Sequence, residues 1–134
     1  MAGSFSDYLE NAVLDHLTGV ATFTTPTNVY VALYTAAPTD AGGGTEVTGG
    51  SYARATVAKG STNWNTASNG ATSNKTAITF ATATADWGTV VAVGLLDNST
   101  GGNLLAWADL TANKSVPNGA TASFAAGELD ITLT

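Results

Sequence analysis

Cysteine is absent, and with it any disulfide framework or thiolate metal site. Cations are scarce: four Lys and Arg against ten Asp and Glu give a net charge of -6 and a pI near 4.2. That balance excludes the phosphate-neutralising surface of a nucleic-acid binder, so no nucleic-acid partner is expected. The first cation is Arg54, so the N-terminus lacks the basic region of a secretory signal. Long apolar runs are missing too. The longest, Val90 to Leu96, is far short of the roughly 20 residues that cross a bilayer, and no membrane partner is expected. These absences read as a soluble, unprocessed protein made inside the cell.

Charged residues make up only 10% of the chain, against about 25% in ordinary domains, and Ile, Leu, Val and Phe together supply about a fifth of it. Ala and Thr fill the gap, so the core is thin and much apolar surface must be covered by a neighbour. A length of 134 residues fits one structural unit. An assembly component is therefore expected.

Residues 1–19 read as an N-terminal amphipathic α-helix. Phe5, Leu9, Val13 and Leu17 recur every four residues and lay one apolar stripe along it. Ser4 followed by Asp7 is a weak capping box, and Gly19 stands where a left-handed residue would end the helix. Residues 20–134 read as β structure. Asn28–Thr35 alternates Val29, Val31 and Leu33 against Tyr30, Ala32 and Tyr34, giving one aliphatic and one Tyr-rich face. Asp40–Gly50 reads as a long flexible loop. Further strands are expected at Tyr52–Ala58, Thr76–Phe80, Thr89–Leu96, Leu104–Leu110, Ala120–Phe124 and Leu129–Leu133, with turns at Asn69-Gly70, Asp97–Asn103 and Pro117–Gly119. The fold class is mainly β, an antiparallel β-sandwich of jelly-roll or Ig-like kind, carrying the one helix.

No catalytic, cofactor or metal site emerges. His16 is the one histidine and sits where the helix dipole favours a cation. Glu128 and Asp130 share one side of an expected strand, a solvated face rather than a pair set across a cleft. Gly42–Gly44 is not followed by the Lys-Ser/Thr of a phosphate loop. Asp97–Asn103 fails the Ca-loop pattern and reads as a hairpin connection. Trp64, Trp87 and Trp107 suit core and interface anchoring better than sugar stacking.

The stretch Val29–Asp40, the glycine-rich link into Tyr52-Ala53-Arg54, and the series Ala77–Trp87, Gly94–Asp97 and Gly101–Trp107 resemble a family of small tailed-bacteriophage virion proteins, commonly labelled tail fibre protein and similar to capsid decoration or cement β-sandwich proteins. The resemblance implies a non-enzymatic virion protein, made in the host cytoplasm and bound to the major capsid protein or to tail proteins. The length argues against a repetitive fibre shaft and favours capsid decoration as a homotrimer that stabilises the head shell. The alternatives are a tail fibre or baseplate component that recognises the host surface, and a carbohydrate-binding module. In each, the stripe of Phe5, Leu9, Val13 and Leu17 is the candidate assembly interface, and Tyr52, Trp64 and Trp107 are the candidate exposed aromatics for partner contact.

Overall fold

The computed structural model describes residues 3–133. Strands β1 (Gly3–Phe5), β2 (Asn28–Ala36), β3 (Thr45–Glu46), β4 (Ala55–Ala58), β7 (Gly88–Leu96) and β8 (Leu104–Val116) form one antiparallel sheet. The order is β1-β8-β7-β2, and the far edge of β2 is shared: β4 pairs along Asn28–Val31 and β3 along Tyr34–Ala36. Two ribbons, β5 (Ala71–Ser73) with β10 (Asp130–Thr132) and β6 (Ile78–Thr79) with β9 (Ser123–Phe124), make the second layer. The expected mainly β, antiparallel class with an N-terminal helix is the class observed. Its sandwich has one complete layer and one built from two short ribbons.

Alternation along β2 sets what each face of the sheet does. Val31 and Leu33 lie opposite Leu95 and Val93 of β7, and all four are buried with Ile78, Phe80, Trp87 and Leu129 in the core beneath the ribbons. Ala32 and Tyr34 point the other way, into a smaller cluster with Ala92 and Leu96. The aliphatic and Tyr-bearing faces read from the sequence are thus the two faces of the sheet. Between the ribbons Asn74, 1% exposed, takes the place of ladder bonds. Its Nδ2 donates to Thr76 O and Ala125 O, each at 2.9 Å, and its Oδ1 accepts from Leu129 N at 2.9 Å. A buried amide is stable only when satisfied in this way.

Several boundaries differ from expectation. The helix α1 runs Asp7–Thr18, capped by Ser6 rather than Ser4, and Phe5 belongs to β1. The reason is tertiary. Ser6 N donates to Leu105 O at 2.9 Å and its hydroxyl donates to Leu104 O while accepting from Leu9 N at 3.1 Å, so Ser6 is pinned to the start of β8. Gly19 ends the helix as expected, at φ +79°. Asp40–Gly50 is not a free loop. Thr39 and Gly42 exchange backbone bonds, and at Gly44 (φ +78°) a Cβ would stand 2.7 Å from Pro38 N, so only glycine lets the chain fold back. That return brings Thr45–Glu46 onto β2 as β3. The expected strand Leu104–Leu110 continues to Val116, because past a bulge the chain pairs again with Gly88–Val90.

Candidate functional site

Where β4 ends and β3 begins, the edge of β2 has a gap, and three side chains fill it. The Tyr52 hydroxyl accepts from Leu33 N at 3.0 Å and donates to Glu46 Oε1 at 2.8 Å. Arg54 meets the same carboxylate twice, Nε to Oε1 and Nη2 to Oε2, both at 2.8 Å. Its Nη1 donates to Asn98 O at 2.7 Å and Gly101 O at 2.8 Å, which fixes the β7–β8 hairpin loop. Every guanidinium nitrogen is thereby engaged. Burial pushes the Glu46 carboxyl up, but the bonds from Arg54 and Tyr52 and the charge of Arg54 outweigh it and hold the group below the usual glutamate range. Burial, foremost, holds the Tyr52 hydroxyl far above the ordinary tyrosine value, with the Glu46 carboxylate adding to it.

Above this network lies a cleft of about 600 Å³, walled by the start of α1, the Asp40–Gly44 turn and the hairpin loop. Asp40 holds two walls together: its backbone oxygen accepts from Asp7 N at 2.9 Å and its Oδ1 from Trp107 Nε1 at 2.8 Å. Tyr34 lines the cleft although only 5% of it is exposed. Its hydroxyl has no hydrogen-bond partner among the described residues, and no described side-chain polar atom is both fully buried and unpartnered. The hydroxyl therefore opens into the cleft. Burial, then the Glu46 carboxylate, raises its pKa, so it stays a protonated donor at neutral pH. Tyr8, 43% exposed, also lines the cleft.

The residues singled out in the sequence are not gathered at this cleft. Of the apolar stripe, Phe5 and Leu9 are half-buried against the main core, while Val13 and Leu17 are exposed, Leu17 to 78%. Leu14, outside the stripe, is 57% exposed, and no residue of α1 is fully buried. Tyr52 is half-buried, stacked on Phe80 and edge-on to Trp87, so its ring is core packing rather than a free platform. Trp64 is half-buried against the core, and Trp107 is half-buried with its indole N–H committed to Asp40. His16 accepts from Phe23 N at 3.2 Å, which tethers the chain leaving the helix. The Glu128 carboxylate accepts from Ala125 N at 2.6 Å within its own turn, and Asp130 is exposed on β10. Asp97 Oδ1 accepts from Asn103 N at 2.7 Å, closing the expected hairpin connection. Tyr8, Tyr34, Asp40, Glu46 and Arg54 carried no motif. The sequence signals that lie here are the Tyr-bearing face of β2, the Gly42–Gly44 tract and the Asp97–Asn103 turn, which line the cleft with Tyr34.

Comparison with known proteins decides the family. The family model described as podophage GP4 fiber I protein gp80 matches residues 4–132, nearly the whole chain. The chain belongs to that family. It is a phage tail fibre protein, hence a virion component, and its family is one of structural fibre proteins. Comparison with curated proteins gives no match. The family corrects the preferred sequence reading: a fibre protein, rather than a capsid decoration or cement protein, is what membership supports, and a homotrimer gains no support from it. The decoration reading rests on the lack of a repetitive shaft. A compact domain can be one piece of a fibre, and sandwich-like folds serve many virion positions, so fold and length could not choose between head and tail.

Proposed function

We propose that this fibre subunit joins other tail proteins of the phage through α1. The observation that carries the reading is the helix's projection: it is pinned to β8 at Ser6, and beyond that turn Val13, Leu14 and Leu17 are exposed in a helix without a single fully buried residue. Apolar side chains held out on a rigid element gain from burial against a partner, at roughly 25 cal/mol per Å² of surface removed from water. Phe5 of β1 and Leu9 of α1, the other half of the expected stripe, pack inward against the core. The test is a phage carrying Leu14→Gln and Leu17→Gln. Both positions are exposed, so the isolated protein keeps its melting temperature, while the amount of the protein in purified virions, read by quantitative mass spectrometry, falls severalfold. Normal incorporation of the folded double variant refutes the assignment of α1.

A further inference from the structure

We infer that the cleft between α1, the Asp40–Gly44 turn and the β7–β8 hairpin loop binds an uncharged saccharide unit. The inference concerns a different surface from the one proposed for assembly, and it draws on the fibre reading only for where such a sugar would be met, on the surface of a host cell.

Tyr34 lies buried at this cleft. The residue is only 5% exposed, yet its hydroxyl is bonded to no described residue and is not fully buried, so it is left open to the cleft for a ligand to bond. Here the ring is clamped: a Cβ on Gly94 would stand 2.8 Å from Tyr34 Cε2, so the ring lies directly across that glycine. The hydroxyl is delivered to the cleft floor with one donor and its acceptor sites unused by any described residue. Such a rigid, pre-positioned polar group in a concave site is what orients a small ligand.

Charge selects the class of ligand. Arg54 lines the cleft, but each of its nitrogens is already bonded to Glu46, Asn98 or Gly101. The other charged residues lining it, Asp7, Asp40 and Glu46, are carboxylates. An anion such as a phosphate or a uronic acid would meet net negative charge with no free cation to receive it. Carboxylates and a tyrosine hydroxyl instead match the hydroxyl groups of a neutral sugar, which both donate and accept. The exposed ring of Tyr8 supplies an apolar face against which the C–H side of a pyranose can lie.

The test uses the full chain, labelled with nitrogen-15, and three probes: methyl glycosides of neutral hexoses and deoxyhexoses, methyl glucosaminide, and glucuronate. Neutral glycosides shift the amides of Tyr8, Gly42–Gly44 and Gly101–Gly102, and glucuronate does not. Tyr34→Phe keeps the ring and the melting temperature and weakens binding roughly five- to tenfold, the worth of one neutral hydrogen bond. Tyr8→Ala, at an exposed position, weakens it as well and guards against a folding artefact. The inference is overturned if no neutral glycoside moves the cleft amides, if glucuronate or glucosaminide binds tighter than every neutral probe, or if Tyr34→Phe binds as the wild type does. Virion incorporation of Tyr34→Phe is measured alongside. Lost sugar binding with normal incorporation separates this site from the assembly role of α1.

Discussion

Arg54 and Glu46 face each other across the edge of β2 in a fork-to-fork pair, with two parallel bonds of 2.8 Å. It is the one ion pair among the described residues, in a chain where charge is scarce. Its position explains its worth. The pair joins β3 to the residue just before β4, reaches the backbone of Leu33 through Tyr52, and ties down the hairpin loop through Asn98 and Gly101.

Arg54→Ala is expected to destabilise the protein by about 2 kcal/mol, between the small value of an exposed pair and the larger cost of breaking a buried one. The side chains are 7% and 24% exposed, which places the pair between those limits. The loss is local as well as global. Amide hydrogen exchange at Ser99–Gly102 accelerates more than exchange in β7, because the loop loses both bonds from Nη1. Equal acceleration in the two segments would contradict the assigned role.

Acid should act on the same pair. The folded-state pKa of Glu46 is lowered, so its contribution to stability is fully present above the unfolded glutamate value and is lost as pH falls through the folded one. Urea unfolding of the wild type therefore shows a constant contribution from this pair near neutrality and a decline only in the acid range. Glu46→Gln removes part of that decline: its stability relative to wild type is lowest at neutral pH and the gap narrows in acid. A gap that stays constant with pH would assign the pair no part in acid sensitivity.

The alternation of β2 and the apolar run of β7 were readable because each places aliphatic residues on the buried face of a sheet, where burial dictates residue type. Asp97–Asn103 was readable from its turn chemistry. What escaped was set by partners distant in sequence. Strands β1, β3 and β5 are two or three residues long and consist of Gly, Ser, Phe, Thr, Glu and Ala, which carry no period; they are strands because β8, β2 and β10 lie beside them. Ser6 rather than Ser4 caps the helix because the start of β8 reaches Ser6. The cleft escaped for the same reason. Tyr8, Tyr34, Asp40 and Arg54 belong to four separate segments, and only the turn at Gly44 and the hairpin loop bring them around one space. Conversely, Tyr52 looked like an exposed aromatic, yet its ring completes the core beside Phe80 and Trp87.

Gly94 is expected to tolerate no side chain. A methyl there would lie 2.8 Å from Tyr34 Cε2 and 3.1 Å from Leu104 Cδ1, with the strand backbone unable to move aside between β2 and β8. Gly94→Ala costs about 1–3 kcal/mol, the usual range for overpacking. Tyr34→Leu in the same chain gives back part of it, and a double-mutant cycle reads the coupling directly. Additive effects would mean that the ring does not lie over the glycine.

At Ser6 one hydroxyl serves two elements. It accepts from Leu9 N as the helix cap and donates to Leu104 O on β8, in a site only 2% exposed. Ser6→Ala loses both bonds and costs about 2 kcal/mol, the upper end for a cap. Ser6→Asp separates the two roles. An aspartate caps a helix as well as serine does, but it has no proton for Leu104 O and would press a carboxylate against that carbonyl. At neutral pH Ser6→Asp is therefore expected to melt below Ser6→Ala despite its better cap. If it instead melts with the wild type, capping alone accounts for Ser6, and the bond to β8 does not hold α1 in place.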